Sequence, residues 1–191
     1  TNNMPVKAMS ARGVPVFNAP GANANAVKEL VLAGLFMAAR NLPQALRFVA
    51  ALDPAMPDMD KAVEDGKKNF AGYELAGHTL GIVGLGKIGC LVADAAIKLG
   101  MHVLGFDPEI TVDAAWSLPS QVKKAHSLDE LLRVSDFVSL HVPQIPATKH
   151  LLNAERLALM RHNAIVLNFS REAIVDVDAI VVGAGPAGSC A

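Results

Sequence analysis

The chain has 191 residues, 17 Lys and Arg against 18 Asp and Glu, a formal net charge of −1 and a hydrophobic fraction of 52%. That suits one domain, or one with part of another, and supplies ample core material, so it excludes a disordered chain. With no basic block a nucleic-acid partner is not expected, and the longest uncharged apolar run, Leu30–Ala39, is about half of a membrane span.

No secretory leader is recognisable at the start, and Cys90 and Cys190 have neither metal nor redox spacing. The expectation is a reduced, cytoplasmic protein without metal or membrane contact. Met4–Gly13 reads as a short helix ending on glycine, and Val14–Phe17 as a short β-branched and aromatic run. The loop Asn18–Asn23 leads into a helix over Ala24–Asn41, stopped by Pro43. Its interior is apolar nearly all round, which predicts burial by its own sheet and by a second subunit, a homodimer through this helix. Leu52–Asp60, with Pro54 and Pro57, reads as a loop, and Lys61–Phe70 as a solvated segment without chemistry.

The centre of the chain is Gly77–Asp107, GHTLGIVGLGKIGCLVADAAIKLGMHVLGFD. Thr79–Val83 is a short apolar run, and Gly84-x-Gly86-x-x-Gly89 follows at once. Helical spacing continues over Cys90–Leu99, and a second apolar run, His102–Phe106, ends in Asp107. Strand, glycine turn, helix, strand and acid in this order make a dinucleotide-binding βαβ unit. Gly84 allows the turn, Gly86 lets backbone approach a pyrophosphate, and Gly89 lets the helix lie close on the strand. The helix N-terminus offers unpaired N–H groups to phosphate, and Asp107 would accept from the adenosine ribose hydroxyls.

The rhythm continues. Ser127–Glu130 is a capping box opening a helix over Leu128–Val134, followed by a strand Phe137–Leu140 with His141-Val142-Pro143 at its end. Asn153 caps a helix through Met160, and Ala164–Leu167 is a fourth strand ending at Asn168-Phe169-Ser170-Arg171. The fold expected is α/β, a doubly wound parallel sheet of the Rossmann kind. In such a sheet ligands bind beyond the carboxyl ends of the strands, so these four stretches share one crevice edge.

Here the chain resembles the NAD-dependent D-2-hydroxyacid dehydrogenases. The matching stretches are RGVPVFNAPGANANAVKELVL, GHTLGIVGLGKIG, MHVLGFDP, SDFVSLHVPQIPATKHLLN and LNFSREAIVD. DAAWSLPSQVKKAHSLDELL favours the branch of that family that acts on 3-phosphoglycerate, in serine biosynthesis. The resemblance implies NAD as cofactor and a 2-hydroxy acid as substrate. It also implies an incomplete substrate domain at residues 1–22, the nucleotide domain over 23–180, and an off-pattern tail over 181–191. Gly84, Gly86, Lys87, Ile88 and Gly89 would meet the pyrophosphate, and Asp107 the ribose. His141, Val142, Pro143 and Thr148 would line the nicotinamide side, and Phe169, Ser170 and Arg171 would contact cofactor and substrate. Arg171 would be the catalytic arginine, with Asn18 and Gly21 also on the substrate side.

Two departures bear on activity. Glu172 stands where the family has glycine, and would be able to pair with Arg171. The family's acid–base histidine and its glutamate lie downstream of that arginine, so the chain reads as a fragment that binds NAD without turning over. Of histidines 78, 102, 126, 141, 150 and 162, only His141 is at the crevice edge, where a hydrogen-bonded strand-end histidine is a plainer reading than a base. Ala179–Ala191 carries a second GxGxxG and resembles the opening of an FAD-binding flavoprotein. A non-catalytic NAD-binding module and a flavoprotein N-terminus therefore stand as the alternatives.

Overall fold

In the computed structural model, which describes residues 4–176, five strands form one parallel sheet. They are β1 (Thr79–Val83), β2 (His102–Phe106), β3 (Lys123–Lys124), β4 (Phe137–Leu140) and β5 (Ile165–Leu167), in the order β3-β2-β1-β4-β5. Leu80 lies beside Val103 on one side and Phe137 on the other, so β1 is central. From β1 the chain winds outward through β2 to β3, then returns to β4 and winds the other way. The switch between β1 and β4 opens a crevice at their carboxyl ends.

The sheet is covered on both faces. Helices α1 (Val6–Ala11), α2 (Ala24–Ala39), α3 (Leu42–Ala50) and α4 (Met59–Lys67) precede it, and α5 (Lys87–Lys98) joins β1 to β2. α6 (Val112–Ser117), α7 (Leu128–Val134) and α8 (Ala154–Leu157) complete the set. Leu80 and Ile82 of β1 enter one buried cluster with Val31 and Leu35 of α2 and Val92, Ala93 and Ala96 of α5. Val83 enters the opposite cluster with Leu131 and Leu132 of α7, Leu140 and Ile174. This alternation along one strand sets the two faces of the sheet.

Several expectations need correcting. α2 ends at Ala39, and Asn41 turns the chain at φ 50°, while Pro43 sits in the first turn of α3, where a missing N–H is harmless. It starts a helix rather than stopping one. α2 buries Val31 and Leu35 against the rest of the chain as expected, and Leu30, Phe36 and Met37 stay exposed on the face left for a second subunit. Val14–Phe17 forms no strand, and Phe17 is exposed. Lys61–Phe70 is mostly helical and not merely solvated: the Phe70 ring packs at a tilt on Phe48, centroids 5.4 Å apart, and Gly66 is buried beneath Phe48. Asn153 caps α8 by accepting from Arg156 N at 3.0 Å, but α8 stops at Leu157. The C-terminal GxGxxG lies outside the described residues.

Candidate functional site

The glycine turn joins β1 to α5. Gly84 has φ +94°, and a Cβ there would lie 2.6 Å from the His141 carbonyl oxygen. A Cβ on Gly89 would run into the Gly84 carbonyl oxygen, so α5 sits on the turn with no room for a side chain. Gly86 differs: nothing lies within 4 Å of a Cβ there. Its open side adjoins the first turn of α5, whose N–H groups have no intrahelical partner.

Asp107, at the end of β2, is engaged with the turn itself. Its Oδ2 accepts from Leu85 N at 2.8 Å and its Oδ1 from Glu109 N at 2.9 Å. Beneath it the Cys90 thiol donates to Leu85 O at 3.3 Å, and burial, reinforced by the Asp107 charge, pushes that thiol's pKa up. A cleft of about 430 Å³ opens beside Asp107, walled by Leu85, Ile110, Leu118 and Val122, with Lys123, Lys124 and His126 at its border. Sequence reasoning missed this wall, because β3 is two residues long and shows no periodicity.

A second cleft, of about 740 Å³, spans the switch point. It is lined by Gly86, Lys87 and Ile88 of the glycine turn, His141, Val142 and Pro143 after β4, Phe169, Ser170 and Arg171 after β5, and Pro20 and Gly21 of the loop before α2. Three of the four crevice stretches thus meet here, and Asp107 borders the adjoining cleft. Lys87 reaches away from the turn, its Nζ donating to Pro20 O at 2.9 Å while its aliphatic stem packs on Gly21. His141 N donates to Val83 O, and its Nε2 lies 2.9 Å from the Ser139 hydroxyl. Burial lowers its pKa from 6.5 to about 4, so the ring is neutral at pH 7. The Ser139 hydroxyl is the ring's side-chain partner, and Nδ1 has none among the described residues.

Ser170 Oγ donates to Val142 O at 2.7 Å, tying the loop after β5 to that after β4. Asn168 holds the loop from within: its Oδ1 accepts from Ser170 N and its Nδ2 donates to Arg171 O. Arg171 is exposed and gives one Nη1 bond to Ser170 O at 2.9 Å. Among the described residues no ion pair with Glu172 forms, and Glu172 opens a short 3-10 turn instead. Phe169 lays its ring edge over Gly34 of α2. Four predicted residues lie off the lining of both clefts: Gly84 and Gly89, which shape the turn from beneath, Thr148 and Asn18. Thr148 donates to Pro143 O at 2.5 Å and accepts from Ile145 N, so it braces the loop after β4. Asn18 is exposed on the loop before α2 and is not part of the wall.

This arrangement can be set beside known proteins. The model of the D-isomer specific 2-hydroxyacid dehydrogenase NAD binding domain matches residues 32–184. The chain belongs to that family. It is similar to D-3-phosphoglycerate dehydrogenase of Methanocaldococcus jannaschii, 39% identical over 179 residues, covering 94% of this chain and 32% of the relative. The Haemophilus influenzae D-3-phosphoglycerate dehydrogenase is 38% identical over 180 residues, covering 94% of this chain and 40% of its own length. Aquifex aeolicus D-lactate dehydrogenase, crystallised with NAD and lactic acid, matches with a TM-score of 0.73 and 29% identity, over 94% of this chain and 50% of that one. The chain thus spans well under half of the curated relatives it matches. As a 2-hydroxyacid dehydrogenase NAD-binding domain it has NAD as its cofactor, and among the described residues no helix is long and apolar enough to cross a membrane.

Proposed function

We propose that this chain is the NAD-binding portion of an enzyme that reversibly oxidises a D-2-hydroxy acid to its 2-oxo acid, with 3-phosphoglycerate as substrate. The observation that carries this is one cleft lined both by Gly86, whose Cβ side is open, and by Arg171. The residues fit NAD. A Cβ on Gly86 would occupy open space beside the α5 N-terminus, which is where a pyrophosphate needs backbone approach and unpaired N–H groups.

NAD, when bound, supplies the acceptor for the hydride that leaves the hydroxyl carbon. The chain's own groups bind and orient. Backbone at Gly84, Gly86, Lys87, Ile88 and Gly89 serves the pyrophosphate. Asp107 keeps lone pairs for the ribose after its two backbone bonds, and the apolar wall of Ile110, Leu118 and Val122 suits the flat adenine. His141, Val142, Pro143, Phe169 and Ser170 serve the nicotinamide half, with Thr148 acting through the Pro143 carbonyl. Among the described residues Arg171 spends one of its five N–H donors, on Ser170 O, which leaves enough to grip a substrate carboxylate bidentately and polarise the reacting oxygen. Gly21, with Asn18 three residues before it, is on the substrate side.

Removing the hydroxyl proton needs a base with a pKa near the working pH. His141 is the one histidine on the cleft wall among the described residues, and a ring with a pKa of about 4 is a weak base. The chain should therefore bind NAD and fail to turn over. A calorimetric NAD titration beside an assay of NADH formation with 3-phosphoglycerate and other 2-hydroxy acids tests both halves. Robust turnover would make a residue of this chain the base, and no NAD binding would sink the reading. The wider organisation inferred is residues 1–22 in a substrate domain, 23–180 in the nucleotide domain and 181–191 outside it, in a cytoplasmic homodimer.

A further inference from the structure

We propose that the buried Ser139 hydroxyl fixes His141 as a hydrogen-bond donor to the ligand of the cleft, by holding the imidazole proton on Nδ1. The identity of that ligand, the dinucleotide, rests on the function proposed above. Ser139 lies within β4 between Val138 and Leu140 and is fully inaccessible to solvent. His141 follows two residues later, so both side chains project from the same face of the strand, and Ser139 Oγ lies 2.9 Å from His141 Nε2.

A hydroxyl shut away from water must donate its proton or leave that donor unsatisfied. Among the described residues, His141 Nε2 is the partner recorded for the Ser139 hydroxyl. The other wholly buried serine, Ser135, behaves differently and donates to Leu131 O at 2.7 Å. Ser139 is therefore the donor and Nε2 the acceptor. A neutral imidazole carries one proton, and with Nε2 accepting, that proton is on Nδ1. Burial keeps the ring neutral, so the second proton that would erase the distinction does not bind at pH 7. Free imidazole side chains favour the opposite tautomer, so Ser139 acts as a positioning residue.

Two consequences follow. His141 has no free lone pair with which to take a substrate proton. Its Nδ1–H is left for an oxygen acceptor on the dinucleotide, because no other bond to this ring is recorded among the described residues. Long-range nitrogen–proton NMR on the histidine-labelled 191-residue chain at pH 7.5 reads the tautomer directly, with His141→Gln assigning the signals. The expected pattern is a protonated Nδ1 in the wild type and in Ser139→Thr, which keeps the hydroxyl, and a protonated Nε2 in Ser139→Ala. The Kd for NAD should rise about tenfold in Ser139→Ala, the loss of one hydrogen bond, and far less in Ser139→Thr. A protonated Nε2 in the wild type, or a folded Ser139→Thr that matches Ser139→Ala, would overturn the proposal. Unchanged NAD affinity in Ser139→Ala would overturn its ligand-facing half. A wild type that binds no NAD would sink the cofactor reading and the donor's ligand with it, while the spectrum still decides the tautomer.

Discussion

Asp107 serves the turn before it serves a ligand, since both its oxygens already hold backbone amides of residues 85 and 109. Asp107→Ala should thus do two things: loosen the loop over α5 and remove the charge that repels a 2′-phosphate. We expect NAD to be preferred over NADP by about tenfold in the wild type, a modest margin because Lys123 and Lys124 border the same cleft. In Asp107→Ala the NAD affinity should fall and the margin close to about threefold or less. The chain's single tryptophan, Trp116, lies exposed on α6 beside that cleft and gives a fluorescence readout for both titrations. Tighter NADP binding by the wild type would reverse the argument. His141 predicts a pH dependence. Its folded pKa is lowered from 6.5 to about 4, so between those values the unfolded chain takes up a proton that the folded one refuses. Stability from this group is full above pH 6.5 and falls as pH drops toward 4, by up to about 3 kcal/mol. Denaturant titrations from pH 7.5 to 4.5 should show this slope, and His141→Gln should flatten it. Asp136 acts lower on the scale. Burial alone would raise its pKa, but the Thr79 N–H and Arg161 outweigh that and hold it below the ordinary value, so it contributes only as pH falls further.

Among the elements, the β1–α5 unit has the least tolerance. Gly89→Ala sets a methyl against backbone, the Gly84 carbonyl oxygen, which has no rotamer to give. The cost should be at least about 2 kcal/mol, several degrees in Tm, even though alanine favours a helix. A Tm equal to wild type would mean that α5 shifts freely. This unit was readable in the sequence because three glycines, two apolar runs and an acid all demand one geometry. The spans of β1, β2, β4 and α7 were legible for a related reason: each is bounded by a turn or cap residue, as Ser127 bounds α7. Even there the box closes differently. Ser127 Oγ accepts from Glu130 N, while Glu130 reaches back one residue further, to His126 N. What sequence hid was tertiary. Pro43 carries no sign of whether it ends one helix or begins the next. Lys123–Lys124 pairs with β2 through register alone, and two exposed lysines look like loop. At the site, the residues walling the switch-point cleft were legible because strand ends must converge there. That Lys87 would reach the Pro20 carbonyl was not, since it depends on where a distant backbone lies, and that Thr148 would brace its own loop was not, since it depends on how that short loop curls back on itself.

For the molecule as a whole, the unresolved demand is the outer face of α2. That helix buries Val31 and Leu35 against the sheet, yet Leu30 is 56% and Met37 49% exposed, one above the other two turns apart. Leu46 and Val49 of α3 are exposed as well. Large apolar side chains repeated along a helix and onto its neighbour make a patch that a water-facing surface seldom keeps. A stable homodimer needs roughly 800 Å² of contact per subunit, within reach of a long helix together with the short one that follows it. We therefore expect the chain to self-associate through α2. Placing like charges on the same line, as in the double variant Leu30→Glu with Met37→Glu, should yield a monomer, because two copies of that face would then meet as acid against acid. Neither residue belongs to the sheet core or the cleft wall, so NAD affinity should stay within about twofold of wild type. Sedimentation velocity over a hundredfold concentration range, beside the fluorescence titration, measures both. A wild-type chain that stays monomeric at the highest concentration would remove the helix as an interface. A double variant that stays dimeric would move the interface elsewhere, and one that loses NAD binding would show instead that α2, through Gly34 and the Phe169 ring, is part of what holds the cleft in shape.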